Sequence, residues 1–305
     1  MKEIKGICPI IATPFTPMGE VDIESLKNLV RTLILGGCHG VTLFGIAGEY
    51  YKLTDEERQN MAGITTQVCR EHNGAAILSV TDHATEAAIK TAVRYEQLGA
   101  DCLMLLPPFF LKPGEQALYD HIKAVAEAVD IPIMVQYAPA QTGVTIPVET
   151  FVKLADECTN IKYFKIECKP PGAYITRMLE KTKGRAGVFV GNAGFQLIEA
   201  IDRGAVGCMP GCSMYDVYLK IYQEYRQGNR EQAIQRHGRL LGILNHIRQN
   251  EEQIVAFEKR ILRLRGIIKS DYCRHPTFVS DPYYDKLFGH FYNQMAEEYM
   301  WNGYE

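Results

Sequence analysis

Long apolar runs are missing from this sequence: none approaches the roughly 18 residues that a spanning helix needs, so no membrane partner is expected. Charge of one sign is also scarce. Lys and Arg number 33 and Asp and Glu 36, a net charge of -3, which leaves no basic footprint for nucleic acid. Cysteines are present without a framework, at 8, 38, 69, 102, 158, 168, 208, 212 and 273. Their odd count argues for reduced thiols in a cytoplasmic protein. Cys208 and Cys212 lie four apart, but no second cysteine or histidine pair completes a zinc site, so no metal is expected. The opening "MKEIKGICPIIATPF" lacks a long apolar core and a cleavage site, so secretion is not expected. There is no phosphate loop and no serine nucleophile elbow.

What is present is an ordinary globular composition, 47% hydrophobic and 23% charged, over 305 residues. Short apolar runs alternate with helical stretches. The runs are "GICPIIA" (6–12), "GVTLFG" (40–45), "AAILSV" (75–80), "DCLMLL" (101–106), "IPIMVQ" (131–136), "IKYFKI" (161–166), "GVFVG" (187–191) and "GCMPG" (207–211). They read as continuous apolar strands, as parallel strands covered on both faces should. Helical patterns fall at 23–36, 55–72, 84–98, 115–129, 147–158, 173–182, 194–203 and 214–227. Thr54 with Glu57 reads as a capping box, and Gly99 and Gly204 as helix C-terminal glycines. Eight such units point to an α/β fold, a (β/α)8 TIM barrel over residues 1–228. A doubly wound open sheet is the alternative, weakened because no glycine-rich dinucleotide fingerprint follows the first strand. Residues 229–305 read as a C-terminal extension of three helices, 229–248, 251–268 and 280–299. Within it the charged piece "FEKRILRLRG" reads as a solvated helix face, and the aromatic stretch "YYDKLFGHFYNQMAEEYMW" as helix packing or an oligomer contact.

The stretch "IKYFKIECKP" (161–170) places charge in a strand that should be buried. Alternation puts Ile161, Tyr163, Lys165 and Glu167 on one face. Lys165 then falls at the C-terminal end of a barrel strand, where functional groups gather. Low dielectric there lowers a lysine pKa and frees the amine to attack a ketone. The plainer alternative is a lysine simply paired with Glu167. Asp82 and His83, ending the third strand, could form an acid/base pair, but capping of the next helix is the preferred reading. Asn192 and Ser213 follow strands seven and eight, where hydroxyls of a substrate could be bound.

Several segments together resemble the dihydrodipicolinate synthase / N-acetylneuraminate lyase family of class I aldolases and dehydratases. They are "GICPIIATPFTPMGEVD" (6–22), "FGIAGEYYKLTDEER" (44–58), "YFKIE" (163–167), "GNAG" through "DRGAVGCMPG" (191–211) and "RHPTF" (274–278). The resemblance implies that Lys165 forms an imine with a 2-keto acid and that no cofactor is needed. It implies substrate contacts from Gly48 and Glu49, a backbone carbonyl from Met209, and a homotetramer.

The departures from the family's pattern are specific. Ile46 and Ala47 stand where two hydroxyl residues are usual. Gln136 stands where a tyrosine proton shuttle ends strand five, with Tyr137 beside it. Phe110 replaces a second tyrosine, and Gln141 an arginine that serves dihydrodipicolinate synthesis. Glutamine can orient a substrate but does not titrate near neutral pH. Glu167 and Tyr137 are therefore the candidate acid/base groups. The "VQ-x-AP" and "YFKIE" motifs are similar to the branch that dehydrates 2-keto-3-deoxy sugar acids such as keto-deoxyarabonate. The expected function is a Schiff-base lyase of that kind. The alternatives are a pyruvate-dependent aldolase, dihydrodipicolinate synthase-like or N-acetylneuraminate lyase-like, or a barrel that binds keto acids without turnover.

Overall fold

The computed structural model describes residues 2–299. Its strands are Gly6–Ile7 (β1), Gly40–Leu43 (β2), Ala75–Val80 (β3), Cys102–Leu105 (β4), Ile133–Tyr137 (β5), Ile161–Ile166 (β6), Gly187–Val190 (β7) and Gly207–Cys208 (β8). They form one sheet in the order β1-β8-β7-β6-β5-β4-β3-β2, the parallel barrel expected from the eight apolar runs. β1 and β8 are much shorter than the apolar runs that contain them, although hydrogen bonds continue beyond them, from Cys8 N to Cys208 O at 3.0 Å and from Ile10 N to Pro210 O at 2.8 Å. The helices are Ile23–Leu35 (α1), Asp55–Glu71 (α2), Thr85–Gln97 (α3), Glu115–Glu127 (α4), the single turn Pro139–Thr142 (α5), Val148–Glu157 (α6), Gly172–Thr182 (α7), Leu197–Asp202 (α8), Tyr215–Arg226 (α9), Arg230–Ile247 (α10), Glu251–Leu264 (α11) and Pro282–Met295 (α12). None is long and apolar enough to cross a membrane.

By density of contacts the chain divides into two units, Met1–Cys8 with Ala75–Met209, and Pro9–Gly74 with Pro210–Glu305. The first holds β1, β3–β8 and α3–α8. Register fixes which side chains meet in it: Met134 lies beside Tyr163, and Gln136 beside Lys165, which in turn lies beside Phe189 of β7. The residues between them in sequence point the other way. Phe164 of β6 packs on Phe151 of α6 at 5.2 Å between ring centroids. Burying such a ring contributes roughly 2 kcal/mol. Gly99 and Gly204, at φ 90° and 100°, follow α3 and α8 as the expected left-handed stops. The helix-capping expectation for Asp82 and His83 is not met, since the N-cap of α3 is Ala84, with no side-chain cap.

The second unit holds β2, α1, α2 and α9–α12, and in it Ile10 bridges both Thr42 and Gly211. The capping box of α2 forms, with Thr54 Oγ1 accepting from Glu57 N at 3.2 Å and Glu57 Oε2 accepting from Thr54 N at 2.9 Å. α11 corrects the sequence reading of "FEKRILRLRG" as a solvated face. Glu258, Lys259 and Arg265 are buried, among Ile254, Val255, Ile261 and Leu262. Each charge has a specific partner. Glu258 accepts from Ser213 N at 2.8 Å. Arg265 pairs with Asp216 at 2.6 Å and donates to Ser213 O. Lys259 pairs with Glu49 and donates to Tyr272 O at 3.1 Å. The aromatic stretch packs as expected, Phe288 of α12 meeting Phe257 of α11 at 4.9 Å; its last two residues, 300 and 301, lie outside the described residues.

One half-buried contact of this unit makes a pH prediction. Hydrogen bonds from Arg274 lower the Glu57 carboxyl from 4.5 to about 2, with burial opposing them. A carboxyl depressed in the folded state contributes stability above its unfolded pKa, and the contribution is lost as pH falls through the folded one. Between pH 4.5 and about 2 the wild type should therefore lose stability that Arg274→Met has already lost. Urea midpoints of the two proteins should converge over that interval, and parallel curves would remove the pair from the acid limb.

Candidate active site

β6 carries Lys165 into the water-poor end of the barrel, only 3% exposed. Isolated there, an ammonium would cost several kcal/mol. Its ionic neighbour is Glu167, whose Oε2 lies 3.5 Å from the amine. That is longer than the roughly 2.7–2.9 Å of a tight charge-assisted hydrogen bond. The shorter contact on that oxygen comes from Gln136, whose Nε2 donates at 2.6 Å. The opposite oxygen, Oε1, accepts from Asn192 N at 3.0 Å, and Asn192 Nδ2 donates to the Glu167 carbonyl at 3.0 Å. Lys165, Gln136, Glu167 and Asn192 thus form one buried polar cluster from the ends of β5, β6 and β7.

Burial pushes the Cys208 thiol up, with the Lys165 charge acting against it. Burial likewise pushes Cys8, whose N donates to Cys208 O, up to about 12. These thiols stay protonated and offer no competing anion. Phe189, the register neighbour of Lys165, is fully buried.

Tyr137 is not brought to this cluster. Its register partner is Ile166, so it points to the helical layer, where it stacks on Tyr174 at 4.7 Å and meets Phe151 edge-on at 5.7 Å. Burial raises its phenol, so it holds its proton more tightly and is a poorer acid. Met209 is buried after β8, its N donating to Val190 O at 3.0 Å. Phe110 is 79% exposed, its ring 6.5 Å from that of His83. His83 Nδ1 in turn accepts from Phe109 N at 3.4 Å.

The remaining candidates belong to the second unit. Ile46, Ala47 and Gly48 form a single tight turn, and Glu49 follows it in the left-handed region at φ 57°. Gly48 has no room for a side chain, since a Cβ would stand 2.8 Å from the Ile11 carbonyl oxygen. The Gly48 carbonyl itself accepts from Thr13 Oγ1 at 2.6 Å. Glu49 is fully buried and paired with both Lys259 and, at 3.2 Å, Lys52. Its carboxylate anchors the loop to α11. Sequence reasoning missed Lys259 and Glu258, although a signal was there. Both lie three or four residues from Val255 or Ile254 and from Leu262 or Ile261, inside the apolar stripe of the helix.

A model of the dihydrodipicolinate synthetase family matches residues 3–288 of the chain. L-2-keto-3-deoxyarabonate dehydratase of Azospirillum brasilense is 30% identical over 280 residues, 89% of this chain and 88% of that protein. 4-Hydroxy-tetrahydrodipicolinate synthase of Thermotoga sp. strain RQ2 is 27% identical over 272 residues, 88% of this chain and 90% of that one. Among solved structures, dihydrodipicolinate synthase of Thermotoga maritima superposes with a TM-score of 0.87 at 25% identity, covering 95% and 98% of the two chains.

The Glu49–Lys259 pair carries a stability prediction. Lys259→Met should destabilise the protein by about 3–5 kcal/mol in urea unfolding, because a buried carboxylate loses its closest cation. Adding Glu49→Gln should restore a large part of the loss. A double variant no more stable than Lys259→Met would show that the two charges do not act as a pair.

Proposed function

Because the chain belongs to the dihydrodipicolinate synthetase family, a family of class I lyases, we propose that it dehydrates a 2-keto-3-deoxy sugar acid through an imine at Lys165. The observation that carries this reading is the Glu167 carboxylate, 3.5 Å from the Lys165 amine and held by the glutamine that stands in the tyrosine's place. The similarity to L-2-keto-3-deoxyarabonate dehydratase supports it from the sequence side.

The steps follow from these groups. The neutral amine of Lys165 adds to the C2 carbonyl and water leaves, giving a protonated imine. Glu167 takes a proton from C3, and the electron pair moves into the imine to form an enamine. The enamine expels the C4 hydroxyl, which leaves as water with the proton that Glu167 returns. Tautomerisation and hydrolysis of the imine release a keto acid that bears an aldehyde, and regenerate the lysine. One carboxyl serves as base and then as acid, so no tyrosine relay is required. Gln136 donates to the same oxygen throughout and cannot itself take the proton. The imine is the electron sink, so the reading calls for neither metal nor cofactor.

Borohydride reduction in the presence of pyruvate or a keto-deoxy acid should add mass at Lys165. A protein that gives no adduct with any 2-keto acid would instead be a binding barrel. Glu167→Gln should keep the adduct while turnover falls by about 10²-fold or more; an unchanged rate would remove Glu167 from the chemistry. Product analysis separates dehydration, which yields the semialdehyde-type keto acid, from aldol cleavage, which yields free pyruvate and an aldehyde. A homotetramer in the cytoplasm belongs to the same reading, and light scattering should give four times the 34.4 kDa chain mass.

A further inference from the structure

The turn that follows β7 is built around Glu167. Asn192, Ala193 and Gly194 all have positive φ, at 52°, 51° and 71°. Asparagine and glycine accept this region readily, whereas alanine does not, so the surroundings must hold the turn in place. Three contacts do so at its first residues. Gly191 N donates to Ile166 O at 3.2 Å, tying the turn to β6. The left-handed backbone of Asn192 aims its N–H at Glu167 Oε1, 3.0 Å away. The Asn192 side-chain amide donates to the Glu167 carbonyl at 3.0 Å. Gly191 completes the fit: a Cβ there would come 2.3 Å from Glu167 Oε1 and 2.5 Å from its Cδ.

We propose that the Gly191–Gly194 turn is a positioning device for the Glu167 carboxylate, with Asn192 a positioning residue rather than a ligand for substrate hydroxyls. It divides the labour of the two oxygens. Oε1 is held by the turn and Oε2 is left facing Gln136 and Lys165. The proton taken from C3 therefore goes to Oε2, the oxygen next to the imine. The proposal rests on the role given to Glu167 above.

Gly191→Ala tests it. The added methyl should push the carboxylate out of contact with the Gln136 amide in a crystal structure of the variant. Borohydride trapping of pyruvate at Lys165 should persist, and kcat should fall by about tenfold or more with KM nearly unchanged. Asn192→Gly keeps the left-handed backbone and its N–H but loses the amide. It should give a smaller fall in kcat in the same direction and guards against a Gly191→Ala protein that does not fold. The proposal is overturned by a carboxylate that stays in place. It is equally overturned by a kcat loss that merely tracks thermal stability, or by a rise in KM alone, which would make Asn192 a substrate ligand. Failure of the wild type to trap any keto acid would sink the lyase reading, while the carboxylate position in the variant structures would still decide this one.

Discussion

Two ionisable side chains of opposite sign share a dry space at the end of β6, and three strand ends supply the groups that hold them. Lys165 and Glu167 are both buried, so neither charge is stable there without the other. Burial keeps the Cys208 thiol protonated beside them, and Gln136 contributes a dipole. At 3.5 Å the amine and the carboxylate are close enough to balance each other.

The second unit solves a different problem with similar means. α11 sends three charged side chains inward, and each meets a loop or helix start at the end of a strand. Glu258 and Arg265 together hold Ser213 by its amide and its carbonyl, and Lys259 holds the loop at Glu49. A buried ion pair is often no more stabilising than well-packed apolar residues would be. Its value here lies in direction, because a charged group accepts few arrangements of its partners.

The barrel was legible in the sequence because eight continuous apolar runs, punctuated by helical stretches, leave few ways to cover both faces of a sheet. The pairing of Lys165 with Glu167 was legible from alternation alone, since two residues apart on a strand means the same face. Parity also decides against Tyr137. Strand five puts Gln136 in register with Lys165, and its neighbour therefore turns to the helices. Other features were not legible. The left-handed turn at Asn192 depends on what packs against it, and a short Gly-Asn-Ala-Gly stretch does not encode that. The buried charges of α11 were misread because charge usually marks solvent, and only their place within the apolar stripe says otherwise. Asp82 and His83 looked like a cap because polar residues before a helix usually are one, yet α3 starts without them.

The contact between Glu49 and Lys259 also has a history in time. The two residues stand 210 positions apart, so the carboxylate leaves the ribosome with Lys52 as its partner long before Lys259 exists. At about 5–20 residues per second, the interval is on the order of ten to forty seconds. Throughout it the Ile46–Glu49 segment lacks the cation that meets its other oxygen in the fully buried state. The nascent chain can assemble its middle strands early, but this corner can close only after α11 has been made. Until then the half-built protein exposes a polar, unsettled edge, and it is there that a chaperone or a protease would find it.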